Sequence, residues 1–283
     1  MYYLDPINSE TIAAVLPERK QDSHKGDYGK VLLLCGSRGY TGAAAMAAMG
    51  ALRTGAGLVY LGVPESIYQI EAAKLLEPIV LPFPDENGMF SDSAIDKILP
   101  LLSQMDGVLI GPGLGRSEGT FSLVKAVLKN AACPVVLDAD GINVISGHID
   151  ILRERTYPTI LTPHAGEFLR LGGNITEDRF QCAAELAADL GCIVLLKGNR
   201  SVITDGNACY INHTGNPGMA TGGSGDVLAG IIVSLIGQGL TPILAAACGA
   251  WLHGRAGDIC AEQIGQYGML PQDMIEVLPR LLR

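Results

Sequence analysis

Six apolar runs punctuate the chain, at 31–35, 58–63, 107–110, 134–138, 159–162 and 193–198, each continuous and not alternating with polar residues. Runs of this length, bounded by glycine and polar turns, read as strands buried on both faces. Between them the apolar positions return every three or four residues. That period predicts helices over 7–16, 43–54, 66–76, 119–130, 177–190, about 226–237 and about 241–262, and another beyond Pro271. Ser91, Asp92 and Ser93 predict the start of a further helix running through Leu102. A short strand over 78–82, a loop over 84–88 and a hairpin of 201–205 with 208–212, turned at Gly206-Asn207, complete the pattern. Strands of this kind interleaved with helices predict an α/β fold with a mostly parallel sheet, helices on both faces and an edge hairpin. In such sheets ligands bind beyond the carboxyl ends of the strands. The unusual loops at 36–42, 111–115, 138–143, 162–167 and 197–200 all follow strand ends, which predicts a single cleft that the glycine loop at 222–225 must join.

That glycine loop carries the strongest chemical signal. Asn216-Pro217-Gly218-Met219-Ala220-Thr221-Gly222-Gly223-Ser224-Gly225-Asp226 runs directly into an apolar helix. Gly222, Gly223 and Gly225 let the backbone take positive φ and approach a ligand closely. The first amides of the helix point outward without partners, a ready place for an anion. A carboxylate there commonly caps its own helix. Set among glycines beside a phosphate, Asp226 can instead take a proton from a substrate hydroxyl.

Composition narrows the field. The 283 residues contain no Pro/Ser-rich linker, charge run or fixed-period repeat, so one domain over 1–283 is expected. Apolar residues make up 48% of the chain and mean hydropathy is +0.29, enough for a large core. The longest apolar region, 227–252, is interrupted by Gln238, Thr241 and Pro242, and reads as two buried helices, not a membrane span. The start of the chain has no basic region and no secretory apolar core, so a cytoplasmic protein is expected. Cys35, Cys133, Cys182, Cys192, Cys209, Cys248 and Cys260 form no C-x-x-C pair and sit mostly in apolar runs, as reduced buried thiols do. A net charge of −9 argues against nucleic acid. An anionic ligand would need backbone donors, a lysine or a metal.

Two common phosphate devices are missing. There is no G-x-x-x-x-G-K-[ST], and Gly111-Pro112-Gly113-Leu114-Gly115 is only the nearest approach to G-x-G-x-x-G, so a hydride-transfer dehydrogenase is disfavoured. The late glycine loop ending in Asp226 resembles the ribokinase-like superfamily. Within it, seven ordered motifs resemble the ADP/ATP-dependent NAD(P)H-hydrate dehydratases. They are Lys25-Gly26-Asp27-Tyr28-Gly29-Lys30, the 36–42 loop, 51–59, 111–115, Leu137-Asp138-Ala139-Asp140-Gly141, 161–167 and 216–230. The resemblance covers nearly the whole chain. It implies a ribokinase-like three-layer sandwich and a repair reaction in which hydrated NADH or NADPH is dehydrated at the expense of ADP or ATP.

The same resemblance implies roles. Asp226 would be the general base, with Gly223, Ser224 and Gly225 as the anion hole. Lys197, Gly198, Asn199, Arg200 and Ser201 would contact the nucleotide, with Lys197 near the phosphates; its removal is expected to weaken ADP binding and leave the fold intact. Ala43, Gly113, His164 and Asp226 would meet the hydrated dinucleotide. Glu167 and Asp138, with Asp140 beside it, would hold Mg²⁺ through water. Each has a plainer alternative: a helix-terminal histidine, a capping Glu167, Asx-turn aspartates, a solvated 197–201 turn, tight packing at Gly113 and Ala43. The run 248–253, with Trp251, is expected in the core or a subunit contact. The resemblance further implies a homo-oligomer, a tetramer by preference, and a separate epimerase, since a start about 25 residues before Lys25 leaves no room for one here. Two rivals remain: a small-molecule kinase resembling hydroxyethylthiazole kinase, and a nucleotide-binding protein without turnover.

Overall fold

In the computed structural model, which describes residues 2–3, 6–16 and 18–282, the chain opens with β1 (Tyr2–Tyr3) and α1 (Ser9–Val15). Asn8 caps α1 by accepting the Thr11 amide at 2.8 Å. The first apolar runs become β2 (Lys30–Leu34), β3 (Leu58–Pro64) and β4 (Ile79–Phe83), separated by α2 (Thr41–Thr54) and α3 (Glu65–Lys74). The stretch after β4, expected as a loop, forms a small hairpin of β5 (Asp85–Glu86) and β6 (Met89–Phe90). Asn87 and Gly88 turn it, both at positive φ (55° and 80°), as a tight hairpin requires.

The alternation of strand and helix continues through α4 (Ile95–Leu102), β7 (Gly107–Ile110), α5 (Glu118–Asn130) and β8 (Val135–Leu137). Two short helices that periodicity did not reveal, α6 (Asp140–Val144) and α7 (Asp150–Arg153), precede β9 (Thr159–Leu161). Then come α8 (Ala165–Arg170), α9 (Arg179–Leu190), β10 (Ile193–Leu196), the hairpin β11 (Val202–Thr204) and β12 (Ala208–Ile211), and finally α10 (Ser224–Gly237), α11 (Pro242–Gln263) and α12 (Pro271–Leu281).

Among the described residues the main sheet has ten strands in the order β1-β12-β11-β10-β9-β8-β7-β2-β3-β4. All pairs from β10 to β4 are parallel, and β11 runs antiparallel to both its neighbours. The hairpin lies towards one edge as expected, with β1 laid parallel along its outer strand. Successive strand residues point to opposite faces. Val31 and Leu33 therefore enter one core with α2, α10, α11 and α12, while Leu32 and Leu34 enter the other with α4, α5 and α9.

One contact fixes where α10 lies. A Cβ on Gly50 of α2 would stand 2.7 Å from the Val227 carbonyl oxygen, and a Cβ on Gly230 of α10 would collide with the Ala47 carbonyl. The two helices thus touch backbone to backbone, which only glycine permits. Ser234 Oγ accepts the Ala56 amide at 3.0 Å and secures the far end. All seven cysteines are buried and unbridged. Among the described residues no helix is long and apolar enough to cross a membrane.

Candidate active site

The glycine loop ends at Gly223, the N-cap of α10, whose φ of 95° is left-handed. Ser224, Gly225 and Asp226 form the first turn of that helix. No side chain caps it, and among the described residues the Asp226 carboxylate accepts no hydrogen bond. The capping alternative for Asp226 therefore has no counterpart in the geometry. Burial, reinforced by the charges of Asp138 and Asp140 and opposed by Lys197, raises the Asp226 pKa from 3.8 to about 6. A carboxylate poised there is ionised at neutral pH yet basic enough to accept a proton.

Asp138, at the end of β8, is 1% exposed. Its Oδ1 accepts from Thr162 Oγ1 at 2.6 Å and from Lys197 Nζ at 2.8 Å. Burial alone would lower the Lys197 pKa, but Asp138, Glu167 and Asp226 together raise it above the ordinary value, so the ammonium stays charged. Its Nζ lies 3.5 Å from where a Cβ on Gly225 would be, at the mouth of the predicted anion hole. This arrangement bears on one expectation. Removing Lys197 would strip a buried carboxylate of its partner, a cost to stability beside any lost phosphate contact.

His164 and Glu167 clasp the start of α8. The Gly166 amide donates to His164 Nδ1 and the His164 amide donates to Glu167 Oε2, both at 2.9 Å. The imidazole is exposed, whereas the Glu167 carboxylate is buried beneath it with its charge felt at Lys197. Asp140 accepts the Gly115 amide at 3.1 Å and pairs with Arg116 Nε at 2.9 Å, tying the 111–115 loop to α6. Gly113 packs against Ala43 and Tyr40; a Cβ there would stand 2.8 Å from the Ala43 Cβ. The tight-packing alternative for these two small residues is thus present in the structure.

Two cavities flank this cluster. One, of about 890 Å³, is lined by His164, all of 197–201, Asn216, Ser224, Gly225 and His253 among others. The other, of about 330 Å³, is lined by Ser37, Arg38, Tyr40, Asn87, Met89, Gly115, Arg116 and Asp140. The larger gathers most of the residues predicted for the nucleotide; Gly223 sits just outside its lining. Ala43 and Gly113 lie beside Tyr40, at the smaller cavity.

His253 is the residue that sequence reading missed. Cys248 and Leu252 are core, as expected, but His253 turns into the larger cavity with its Nε2 3.2 Å from Ser224 Oγ. Burial drives its pKa down to about 4, so it is a neutral partner for that hydroxyl. A histidine directly after the apolar, alanine-rich run 243–252 of α11 was the available signal.

Residues 31–280 match the family model described as NAD(P)H-hydrate dehydratase. The chain belongs to the NAD(P)H-hydrate dehydratase family. It is 47% identical over 275 residues to the bifunctional NAD(P)H-hydrate repair enzyme of Moorella thermoacetica, covering 95% of this chain and 52% of that protein. It is 36% identical to the ADP-dependent (S)-NAD(P)H-hydrate dehydratase of Bacillus subtilis, covering 96% and 95%. The chain spans about half the length of the bifunctional relatives it matches. Among solved structures, the Bacillus subtilis ADP/ATP-dependent NAD(P)H-hydrate dehydratase co-crystallised with ATP/Mg²⁺ superposes with a TM-score of 0.83 at 34% identity, over 98% of this chain and 97% of that one. A hydroxyethylthiazole kinase from Pyrococcus horikoshii reaches 0.61 at 16% identity, which shows the ribokinase-like fold alone. The NAD(P)H-hydrate dehydratase family model spans every site residue named above.

Proposed function

We propose that the chain dehydrates NADH-hydrate or NADPH-hydrate back to the dinucleotide, using ADP or ATP. The observation that carries this reading is Asp226, uncapped, raised to about 6, next in sequence to Gly225 of the larger cavity's lining and within electrostatic reach of Asp140 in the smaller one's. The nucleotide lies in the larger cavity against 197–201, its terminal phosphate at the Ser224 and Gly225 amides with Lys197 alongside. His253 holds the Ser224 hydroxyl. The ring hydroxyl of the hydrate reaches Asp226 between His164, which lines the larger cavity, and Gly113 and Ala43 beside Tyr40 of the smaller one.

Asp226 takes the hydroxyl proton as that oxygen attacks the terminal phosphorus, and the nucleotide leaves one phosphate shorter. The phosphate ester then departs with the C–O electron pair, and a proton is lost from the neighbouring ring carbon to restore the double bond. Hydroxide, the conjugate base of water with a pKa of about 15.7, is a poor leaving group. Phosphate, whose second pKa is about 6, is a good one.

Mg²⁺ fits this site as a water-shelled ion carried on the nucleotide phosphates. Among the described residues no three His, Cys, Asp or Glu side chains form a metal cage, and Asp138 and Glu167 already bind Lys197 and their own helix. One or two carboxylates acting through water suit Mg²⁺. Asp138, with Glu167 behind it, would hold it, and the ion would neutralise phosphate charge. The bifunctional relatives, of which this chain spans about half, support a companion epimerase activity.

The test is an absorbance assay. Purified protein with hydrated NADH, Mg²⁺ and ADP or ATP should restore the NADH absorbance and release inorganic phosphate, and neither should occur without nucleotide. Accumulation of a stable phosphorylated product would instead establish the kinase alternative.

A further inference from the structure

Three features make the smaller cavity an anion-binding cleft. It is lined by two guanidinium groups, Arg38 and Arg116, in a chain with only 20 basic residues and a net charge of −9. Its one carboxylate, Asp140, is already engaged by the Gly115 amide, Arg116 Nε and Asn143 Nδ2. Arg116 spends only Nε on that contact, and among the described residues no carboxylate pairs with Arg38. Both side chains are exposed at the cleft, and among the described residues their remaining side-chain donors meet no other protein acceptor.

The two arginines are also well supported. Arg38 donates its amide to the Gly88 carbonyl at 2.8 Å, and its side-chain stem lies where a Cβ on Gly88 would be. The 36–42 and 111–115 loops are cross-linked: the Gly36 amide donates to the Pro112 carbonyl and Ser37 Oγ to the Gly113 carbonyl, both at 2.8 Å. Arg38 and Arg116 therefore come from two joined loops and face one space. That space shares no lining residue with the nucleotide cavity. It opens on Asp140, whose charge reaches Asp226.

We infer that Arg38 and Arg116 bind the phosphate groups of the hydrated dinucleotide, so that the substrate is held by its own anionic part in the second cleft while its ring hydroxyl meets Asp226. This rests on the dehydratase reading and sharpens it. A molecule reacting at Asp226 can reach these guanidiniums with an anion only if it carries phosphate of its own, separate from that of ADP. A small neutral alcohol, the substrate class of the rival kinase, would leave both arginines unused.

The experiment compares wild type with Arg38→Gln and Arg116→Gln in the NADH-recovery assay, varying NADH-hydrate, NADPH-hydrate and ADP in turn. Each variant should raise KM for the hydrate about ten- to a hundredfold, the loss of one charge-assisted phosphate contact, with the ADP dependence unmoved. Equal losses on both hydrates place the pyrophosphate at the arginines. A loss confined to NADPH-hydrate places the 2′-phosphate there. An unchanged KM for both hydrates, in a variant that melts like wild type, overturns the inference, as does an equal rise in KM for ADP. If Arg116→Gln melts low because Asp140 has lost its partner, Arg38→Gln decides alone. Wild-type protein that recovers neither dinucleotide refutes the dehydratase reading instead. The cleft is then titrated with NADPH by calorimetry, where weaker binding to Arg38→Gln supports phosphate recognition and equal binding overturns it.

Discussion

Asp226 sets two requirements against each other at a single residue. Its pKa is raised from 3.8 to about 6, so the folded state favours the protonated form. The stability this gives is fully present below 3.8 and is lost as pH rises through about 6. At neutral pH the ionised carboxylate is thus a cost, bounded at about 3 kcal/mol for a shift of roughly two units and reduced by water in the cavity. Asp226→Asn removes the charge and the base together. The variant should melt above wild type at pH 8, with the gain vanishing below about pH 4, while NADH recovery falls by about 10²–10⁴. Wild-type kcat/KM should fall tenfold per unit below about pH 6. Paired melting and rate measurements check all three, and a variant keeping more than about a tenth of the rate removes Asp226 from the chemistry. Asp226 was legible because glycines crowd one side of it and an apolar helix follows. The Asp138–Lys197 pair was not, since its members are 59 residues apart and meet only at the ends of β8 and β10, two parallel strands with β9 between them. His253 was hidden by its apolar neighbours.

At the level of elements, two glycines of one helix carry opposite constraints. Gly230 of α10 faces the Ala47 carbonyl, and no side chain fits. Gly230→Ala should push α10 off α2 and destabilise by about 1–3 kcal/mol or more, the usual cost of overpacking. Gly225 has room, since its nearest neighbour is Lys197 Nζ at 3.5 Å. Gly225→Ala should gain up to about 1 kcal/mol of helix propensity. The added methyl would sit in the anion hole and weaken ADP binding. A raised Tm with a raised Kd for ADP is the expected pair of results, and unchanged ADP affinity would move the phosphate elsewhere. Most strands and long helices were legible because a buried parallel strand leaves an unbroken apolar run. The helices α6 and α7 are five and four residues long, too short to show a period. The hairpin β5–β6 carried its signal in Asn87-Gly88, which reads as a turn only when the two-residue strands beside it are recognised.

For the whole molecule, the site doubles as a clamp. Lys197 follows β10 and Asp138 follows β8, with β9 between them, so their contact spans three strands of the sheet. Lys197→Met should lower Tm without any ligand, because Asp138 is left buried and unpaired. Adding Asp138→Asn should restore part of the loss. Saturating ADP with Mg²⁺ should raise the wild-type Tm, by the equivalent of about 2.7 kcal/mol at a hundred times Kd, and should do so much less in either variant. Scanning calorimetry with and without ADP measures both effects. Full ADP stabilisation of Lys197→Met would separate the lysine from the nucleotide.

The glycine-to-carbonyl contact between α2 and α10 also bears on how the chain is made. A nascent chain that has emerged as far as Gly223 already holds β2 and β3, which pair with each other, and every strand of the parallel sheet. Ala44, Ala47, Ala48 and Ala51 of α2 nevertheless lie in a core whose other wall is Val227 to Ile236, not yet synthesised. Local contacts form early, whereas those that bring distant segments together wait and leave apolar surface open meanwhile. On the ribosome, this protein therefore spends most of its translation with one side of its sheet only partly covered, by α2 and its early neighbours. Closure of that side starts with α10, the segment that brings Asp226, and α11 and α12 follow, so a chain cannot complete that layer without also delivering its base.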